Sequence, residues 1–217
     1  MPASGDSVEL ARRAVAYTGH RLSAAQEDLL REFCRWLLAE AIPAGGLGPR
    51  EGERVWARHI ADSLLFASGW PGQEPKEILD VGTGVGLPGI PLAIMWPNTR
   101  LTLLDRGGRR VRLLHRAVRV LALTNVIIAQ GDAFAVADDW AGIVARGALR
   151  APEMVGLSAK LLSAGGCAVL GLSRQASPPE RTRDLLGVAG ALGLEPELRE
   201  IPAEILDAPA WLLIMRR

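Results

Sequence analysis

The spacing of apolar residues divides the chain into a helical N-terminal part and a longer part in which strands alternate with helices. Residues 8–40 carry apolar side chains at helical intervals, and the clearest stripe consists of Leu29, Leu30, Phe33, Trp36 and Leu37. Residues 41–53 are rich in glycine and proline, which indicates turns, and a further helix is predicted at 54–69. We expect the stripe to pack on the rest of the protein, because a helix with one apolar face needs a partner.

From residue 77 onward, short apolar runs alternate with amphipathic ones. The predicted strands are 77–82, 100–105, 126–131, 142–146, 167–173, 196–201 and 210–216, and the predicted helices are 88–96, 108–122, 151–162 and 178–192. This alternation predicts a doubly wound, mostly parallel sheet, and the turn at 202–209 lets the last two strands form an antiparallel pair at one edge. The predicted fold class is therefore α/β and Rossmann-like, with a helical extension at 1–70 and a sheet domain at 71–217.

Composition narrows the class of protein further. A chain of 217 residues fits one domain with a terminal extension, and the net charge of +1 creates no field that demands nucleic acid or a membrane. Cys34 and Cys167 lie in separate apolar segments, so we expect buried free thiols and a reducing, cytoplasmic setting. No apolar run reaches the roughly 18 residues of a membrane span. The three histidines have no metal-ligand spacing, so no metal site is expected.

The segment 77–89, EILDVGTGVGLPG, is the strongest local signal in the chain. A short apolar strand ends at Asp80, and Gly82, Gly84 and Gly86 follow at alternate positions before a helix. A glycine-rich turn between a strand and a helix brings bare backbone against a nucleotide-like ligand, since a Cβ would block the approach and some turns need positive φ. The spacing of Gly84, Gly86 and Gly89 also fits the dinucleotide pattern G-x-G-x-x-G, which alone is a weak match.

Acidic residues after the strands favour S-adenosylmethionine as the ligand. Asp80 can face the ammonium group of the methionine part, whereas it would repel a pyrophosphate. Asp105 ends the second strand and can accept hydrogen bonds from both ribose hydroxyls, which suits S-adenosylmethionine and a nicotinamide dinucleotide equally. The third strand runs into Gly131-Asp132-Ala133-Phe134, a turn of the kind that holds an adenine in methyltransferases. A nicotinamide cofactor and a purely structural turn remain the alternatives.

Four segments together resemble the RsmG (GidB) family. They are ARHIADSL at 57–64, LDVGTGVGLPGIPLAI at 79–94, LLDRGGRRVRLLHR at 103–116 and VAR at 144–146, and the likeness runs from about residue 24 to the end. The resemblance implies a class I S-adenosylmethionine-dependent methyltransferase fold with an N-terminal helical extension. It also implies a cytosolic enzyme that methylates N7 of a guanine in small-subunit ribosomal RNA, so that ribosomal RNA or the small subunit is its partner.

The resemblance and the glycine turn together give the expected site. The predicted cofactor-binding residues are Asp80, Gly82, Thr83, Gly84, Gly86, Leu87, Asp105, Arg106, Asp132, Ala133, Phe134 and Arg146. Arg146 is implied to lie near the donor or the incoming base. The predicted catalytic residues are Arg146 and His59. The family's helical motif, which here contains Arg58, His59, Asp62 and Ser63, is implied to lie beside the active-site mouth.

Methylation of guanine N7 does not require these residues to transfer a proton. Guanine N7 carries a lone pair and no proton, so a general base is not required. His59 is the nearest acid–base candidate, because helical spacing puts it on one face with Asp62 and Ser63. The alternative is a packing cluster in which Arg58 and Asp62 pair at i, i+4.

A basic stripe on the helix after Asp105 is the candidate RNA surface. Arg109, Arg112, Arg116 and Arg119 recur at intervals of three and four. The predicted RNA contacts are Arg58, Arg109, Arg110 and Arg112, and a solvated helix face is the alternative. We expect the protein to act as a monomer.

The chain departs from the family pattern at four places. An Asn-Leu-Thr segment is missing after Trp36, Trp140-Ala141 stands for a Phe-Asp pair, Gly147 for an alanine, and Leu172-Ser173-Arg174 for Leu-Lys-Gly. Donor binding survives these changes, but they are expected near the RNA. Two alternatives therefore stay open: a small-molecule methyltransferase of the same lineage, and a non-catalytic protein that binds the donor and docks through the 8–40 helices.

Overall fold

A computed structural model describes residues 4–137, 139–173, 177, 182–206 and 208–217. Its centre is one seven-stranded sheet of order β3-β2-β1-β4-β5-β7-β6. The strands are β1 Glu77–Val81, β2 Arg100–Asp105, β3 Val126–Gln130, β4 Trp140–Arg146, β5 Leu162–Ser173, β6 Glu195–Ile201 and β7 Ala210–Arg216. Strands β1 to β5 pair in parallel, while β7 runs antiparallel to both of its neighbours. The α/β class and the antiparallel last strand are confirmed.

The helices flank this sheet on both faces. They are α1 Ser4–Tyr17, α2 Ala24–Trp36, α3 Asp62–Leu64, α4 Gly89–Met95, α5 Gly108–Val120, α6 Ala151–Leu161, α7 Thr182–Ala191 and α8 Ala203–Leu206. A π-helical turn, Leu37–Ala41, extends α2, and a 3₁₀ turn spans Gly52–Arg54. The predicted helix 54–69 is a mixed one, with π-helical Val55–Ala61 before α3 and 3₁₀ Leu65–Gly69 after it.

Two predicted boundaries differ from the structure for a physical reason. Strand β5 begins at Leu162, five residues before the predicted start, and β4 begins at Trp140 rather than at 142. A register shift explains both, because Trp140 pairs with Leu162 whereas Gly142 pairs with Cys167. The turn at 202–209 contains the short α8. Residues 178–181, where the seventh helix was predicted to begin, lie outside the described residues.

The N-terminal helices bury the predicted apolar stripe against one face of the sheet. Helix α2 starts at a capping box, in which the Ser23 hydroxyl accepts from the Gln26 amide and the Gln26 side chain accepts from the Ser23 amide. Leu30 and Phe33 are fully buried and share one apolar cluster with residues of the sheet. The Gln26 side chain also donates to the carbonyls of Ile94 and Met95, at the end of α4. The division at residues 70 and 71 stays a prediction.

The sheet separates two apolar cores and gathers functional residues at one edge. Ile78 belongs to the core beneath the N-terminal helices, whereas Leu79 and Val81 face α6 and α7 on the other side. Strand order reverses between β1 and β4, which is where open α/β sheets form a crevice at the carboxyl ends of their strands. Both cysteines are free and buried, as predicted. In the described part of the chain, every helix is too short or too polar to cross a membrane.

Candidate active site

The turn after β1 adopts the backbone that its glycines allow. Gly82 and Gly84 have φ angles of 65° and 63°, in the left-handed region that side chains disfavour. A Cβ on Gly82 would come within 2.4 Å of Ala148, so both conformation and space require glycine there. A Cβ on Gly84 would meet no atom within 4 Å, so only the backbone conformation requires glycine at this position. The space beside Gly84 is part of a cavity.

This glycine-turn cavity has a volume of about 390 Å³ and lies at the carboxyl ends of β1, β2 and β4. Ten of the twelve predicted cofactor residues line it: Gly82, Thr83, Gly84, Leu87, Asp105, Arg106, Asp132, Ala133, Phe134 and Arg146. Gly86 and Asp80 do not line it. Gly46 and Leu47 line it as well, and no local sequence signal predicts them as site residues. They lie in loop 42–51, which follows the π-helical extension of α2.

Asp105 is held in its charged form at the wall of this cavity. Its carboxylate accepts hydrogen bonds from the amides of Gly84 at 3.1 Å and Gly107 at 2.7 Å, and from the Arg110 Nε at 2.9 Å. Burial acts to raise the pKa of Asp105, but these hydrogen bonds outweigh it and hold that pKa below its ordinary value. Arg110 therefore lies in the cavity as the partner of Asp105, while its side chain stays partly exposed and its contact with RNA stays a prediction.

Asp80 lies beneath the turn, fully buried. Its Oδ2 accepts the Gly89 amide at 2.8 Å, and its Oδ1 has no hydrogen-bond partner in the described part of the chain. Burial raises the pKa of Asp80 to about 7, against the opposing influence of the Thr83 hydroxyl and the Gly89 amide. Asp80 thus supports the turn from behind, and its interaction with the methionine ammonium group stays a prediction.

A second cavity of about 440 Å³ adjoins the first and is here called the β5–β7 cavity. Arg146, Gly147, Ala148 and Leu149 line both cavities. The polar part of the β5–β7 cavity comes from Arg58, His59, Asp62 and Arg146, and its apolar part includes Phe66, Met154, Leu172 and Trp211. The helical motif 57–64 and the end of β4, both predicted to be functional, therefore meet in one place.

An ion pair between Arg146 and Asp62 lies at this meeting point. The Arg146 Nη1 is 2.9 Å from the Asp62 Oδ2 and also donates to the Arg58 carbonyl at 3.3 Å. The alternative in which Arg58 pairs with Asp62 is wrong, since the Arg58 guanidinium instead lies 3.6 Å from Glu51. The reason is local geometry: Val55–Ala61 is π-helical, so i, i+4 positions do not align as they do in an α-helix.

His59 is buried beside this pair and is held by loop 42–51. Its Nε2 lies 3.0 Å from the Glu51 Oε2, and its buried Nδ1 has no hydrogen-bond partner among the described residues. Burial and the nearby Arg146 cation lower the pKa of His59, and Glu51 offsets this only in part. The ring is therefore neutral at pH 7. The Ser63 hydroxyl donates to the His59 carbonyl at 2.5 Å and lies outside both cavities.

The basic stripe on α5 is only partly available to a ligand. Arg109 donates to the Ala44 carbonyl and Arg116 pairs with Glu40 at 2.6 Å, so both tie α5 to the segment after α2. Arg106 and Arg112 are exposed, and neither forms an ion pair or a side-chain hydrogen bond within the described ranges. Of the predicted RNA contacts on this helix, Arg112 is the one with neither an ion pair nor a side-chain hydrogen bond to a described residue, and it is exposed.

The sheet order and the glycine turn define a class I methyltransferase fold. A precorrin-6y C5,15-methyltransferase from Geobacter metallireducens GS-15 matches with a TM-score of 0.55 at 15% identity, over 70% of this chain and 86% of that one. Fibrillarin from Aeropyrum pernix, solved with natively bound S-adenosyl-L-methionine, matches with a TM-score of 0.54 at 19% identity, over 66% and 67%.

Sequence comparison places the chain more narrowly. The family model for rRNA small subunit methyltransferase G matches residues 26–176, so the chain belongs to that family and is a methyltransferase with S-adenosylmethionine as its cofactor. A ribosomal RNA small subunit methyltransferase G from Cellvibrio japonicus (strain Ueda107) is 34% identical over 192 residues, covering 86% of this chain and 83% of the relative. One from Mycobacterium marinum (strain ATCC BAA-535 / M) is 31% identical over 210 residues, covering 94% and 88%.

Proposed function

We propose that this protein transfers the methyl group of S-adenosylmethionine to N7 of a guanine in small-subunit ribosomal RNA. The observation that carries the proposal is that two cavities adjoin and share Arg146, so a methyl donor and an acceptor base can lie side by side. The relatives' names give ribosomal RNA as their substrate. The family resemblance adds the guanine and its N7.

The residues of the glycine-turn cavity fit the cofactor. Backbone at Gly82 and Gly84 leaves room for a ligand, and the charged Asp105 is ready to accept ribose hydroxyls. Phe134 has 53% of its surface exposed at the cavity wall and offers a ring to an adenine, beside Ala133. When bound, the cofactor supplies an electrophilic methyl group on sulfur.

The protein's part in the reaction is to position the acceptor. Guanine N7 has no proton to lose, so proximity of the reacting atoms, about 3–3.5 Å apart, replaces acid–base catalysis. A neutral His59 that is held by Glu51 fits this assignment, since it keeps the wall of the β5–β7 cavity in place without transferring a proton. Arg146, which lines both cavities, is the residue best placed to orient donor and base.

The exposed arginines near the cavities suit an RNA backbone. Arg106 lines the glycine-turn cavity, and Arg112 lies on the exposed face of α5. Phosphate contacts of this kind add affinity that falls with salt. One chain carries both cavities, which is consistent with action as a monomer, and a ribosomal substrate puts the enzyme in the cytoplasm.

Methyl incorporation into small ribosomal subunits from a strain lacking this modification tests the proposal. We expect label from the donor at one guanine N7, located by chemical cleavage at the methylated base. Arg146→Ala should abolish the label, whereas Arg31→Ala, which alters an exposed ion pair on α2, should leave it unchanged. The absence of label, with donor binding confirmed by calorimetry, would refute the ribosomal assignment and favour a small-molecule acceptor or a non-catalytic role.

A further inference from the structure

The β5–β7 cavity presents a paired cation and anion to whatever binds next to the methyl donor. Arg146 uses Nη1 for its contacts with Asp62 and Arg58, which leaves Nε and Nη2 without a hydrogen bond to any described residue. Asp62 uses Oδ2, and its Oδ1 is likewise without a partner in the described ranges. The two side chains retain 21% and 12% of their accessible surface, so unused donors and an unused acceptor reach the cavity side by side.

We propose that this cavity binds the target guanine and that the Arg146–Asp62 pair reads its O6 and N1–H groups, which rests on the methyl transfer to guanine N7 proposed above. N7, O6 and N1 follow one another around the edge of the purine. The two side chains have a matching order across the site. Arg146 lines both the glycine-turn cavity, where the donor binds, and the β5–β7 cavity, whereas Asp62 lines only the β5–β7 cavity and is therefore farther from the donor. With N7 towards the donor, O6 accepts from Arg146 and N1–H donates to the Asp62 Oδ1.

The same pair rejects adenine. Adenine carries an amino group in place of O6 and an acceptor in place of N1–H, so both polarities are reversed. Its amino group would meet the Arg146 donors, and its N1 would meet the Asp62 carboxylate. Because an unmatched buried polar group is costly, two mismatches give strong discrimination. Asp62 is therefore a specificity-determining residue of this cavity.

The shape of the cavity agrees with a flat heterocycle. Its volume of about 440 Å³ lies in the usual range for small-molecule pockets. Met154, Leu172 and Trp211 give apolar walls for the faces of the base, while Arg146 and Asp62 meet its edge. A base that is paired or stacked in RNA must leave its stack to enter such a cavity, and enzymes that modify bases commonly bind them in this way.

Nucleotide binding tests the proposal separately from methyl transfer. Saturation-transfer NMR is measured on the protein loaded with S-adenosylhomocysteine, with GMP, IMP, 1-methyl-GMP and AMP at equal concentrations. IMP keeps O6 and N1–H but lacks the 2-amino group, whereas 1-methyl-GMP keeps O6 and carries a methyl group in place of the N1 proton. We expect GMP and IMP to bind about equally, and 1-methyl-GMP and AMP to bind roughly 10-fold or more weakly, as for a mismatched base-edge contact.

Two variants link this selectivity to Asp62. Asp62→Asn offers both a donor and an acceptor, so the preference for GMP over AMP should fall about 10-fold or more. Asp28→Asn changes an exposed carboxylate on α2 and should keep the wild-type preference. A purely structural Asp62 would weaken all four nucleotides alike, so the ratio of affinities is the diagnostic quantity.

The outcomes separate this inference from the proposed function. Equal binding of GMP and AMP by the wild-type protein, no binding of any nucleotide, or an unchanged ratio in Asp62→Asn would overturn the assignment of the cavity. Each result is independent of methyl incorporation into ribosomal subunits, which tests the function itself. The wild-type series also needs no variant, so it decides the question even if Asp62→Asn fails to fold.

Discussion

Donor affinity should depend on pH through Asp80. In the free protein, burial raises the pKa of this carboxyl to about 7, so near neutrality it is about half protonated. The cofactor carries positive charge on sulfur and on its amino group, and a cation near a buried carboxylate favours the ionised form. Binding therefore releases the proton from Asp80. The other charges acting on it are Arg146 and Asp105.

The size of the effect follows from that pKa. At pH 6 about nine-tenths of the free protein carries the proton on Asp80, and at pH 8 about one-tenth does. If the bound form is fully ionised, affinity at pH 8 exceeds that at pH 6 by about 10-fold, and binding at pH 6 releases nearly one proton. Asp105 does not titrate in this interval, because its pKa is held below the ordinary range.

Through Asp80, the stability of the free protein changes with pH in the opposite direction to donor affinity: it falls as the pH rises. Because the folded-state pKa of Asp80 is raised, its contribution to the stability of the free protein is fully present below the unfolded pKa of 3.8 and is lost as pH rises towards 7. The ionised carboxylate is thus destabilising without ligand at pH 8. Asp80→Asn should therefore raise the melting temperature of the free protein at pH 8.

Isothermal titration calorimetry with S-adenosylhomocysteine and S-adenosylmethionine, in two buffers of different ionisation enthalpy, gives both affinity and proton release. Asp80→Asn should abolish the pH dependence. His59→Gln controls for a titrating histidine in the neighbouring cavity and should leave the dependence in place. Wild-type affinity that is flat between pH 6 and pH 8, or a slope that persists in Asp80→Asn, would refute the reasoning.

Three further predictions concern the two cavities and the core. Gly84→Val should abolish donor binding in calorimetry because φ is 63° there, whereas Gly156→Ala, in a helix with open space around it, should leave donor affinity unchanged. Arg110→Ala should weaken donor binding about 10-fold, because Asp105 loses its cation. Arg112→Ala should leave donor affinity unchanged and should reduce the slope of log affinity for RNA against log salt concentration by about one. If each variant affected the donor and the RNA equally, this division of roles would be contradicted. Phe33→Ala should lower the free energy of unfolding in urea by about 3–5 kcal/mol, since the ring is fully buried, and a loss below 1 kcal/mol would contradict its place in the core.

The glycine-turn cavity was predictable because its signals are local. Strand, glycine turn and acid follow one another within a few residues, and parallel strands bring the ends of β1, β2 and β4 to one edge. The direction of Asp80 was not predictable, because it depends on how the turn folds back to place the Gly89 amide over the carboxylate. The sequence indicates which residues gather at the edge but not which way each side chain faces.

The polar contacts of the β5–β7 cavity could not be predicted from local sequence patterns. Arg146 and Asp62 are 84 residues apart in sequence, so only the packing of the mixed helix on the sheet brings them together. The i, i+4 rule pointed to Arg58 instead, and the π-helical turn removed its basis. Glu51 belongs to a turn-rich segment with no periodicity, and its contacts with His59 and Arg58 across the fold give it a place in the site.

The departures from the family pattern bear on the site unequally. Trp140 and Ala141 lie at the amino end of β4, about 20 Å from Arg146 along the strand, so they lie away from both cavities. The missing Asn-Leu-Thr segment falls near loop 42–51, which borders the glycine-turn cavity through Gly46 and Leu47. Gly147 lines the β5–β7 cavity, where the Arg146–Asp62 pair is intact. Ser173 is the last residue of β5, next to Leu172 of the same cavity, and Arg174 lies outside the described residues. The departures therefore affect residues around the two cavities, whereas Arg146 and Asp62, which are proposed to recognise the base, are both present. This favours a guanine acceptor over an unrelated small molecule.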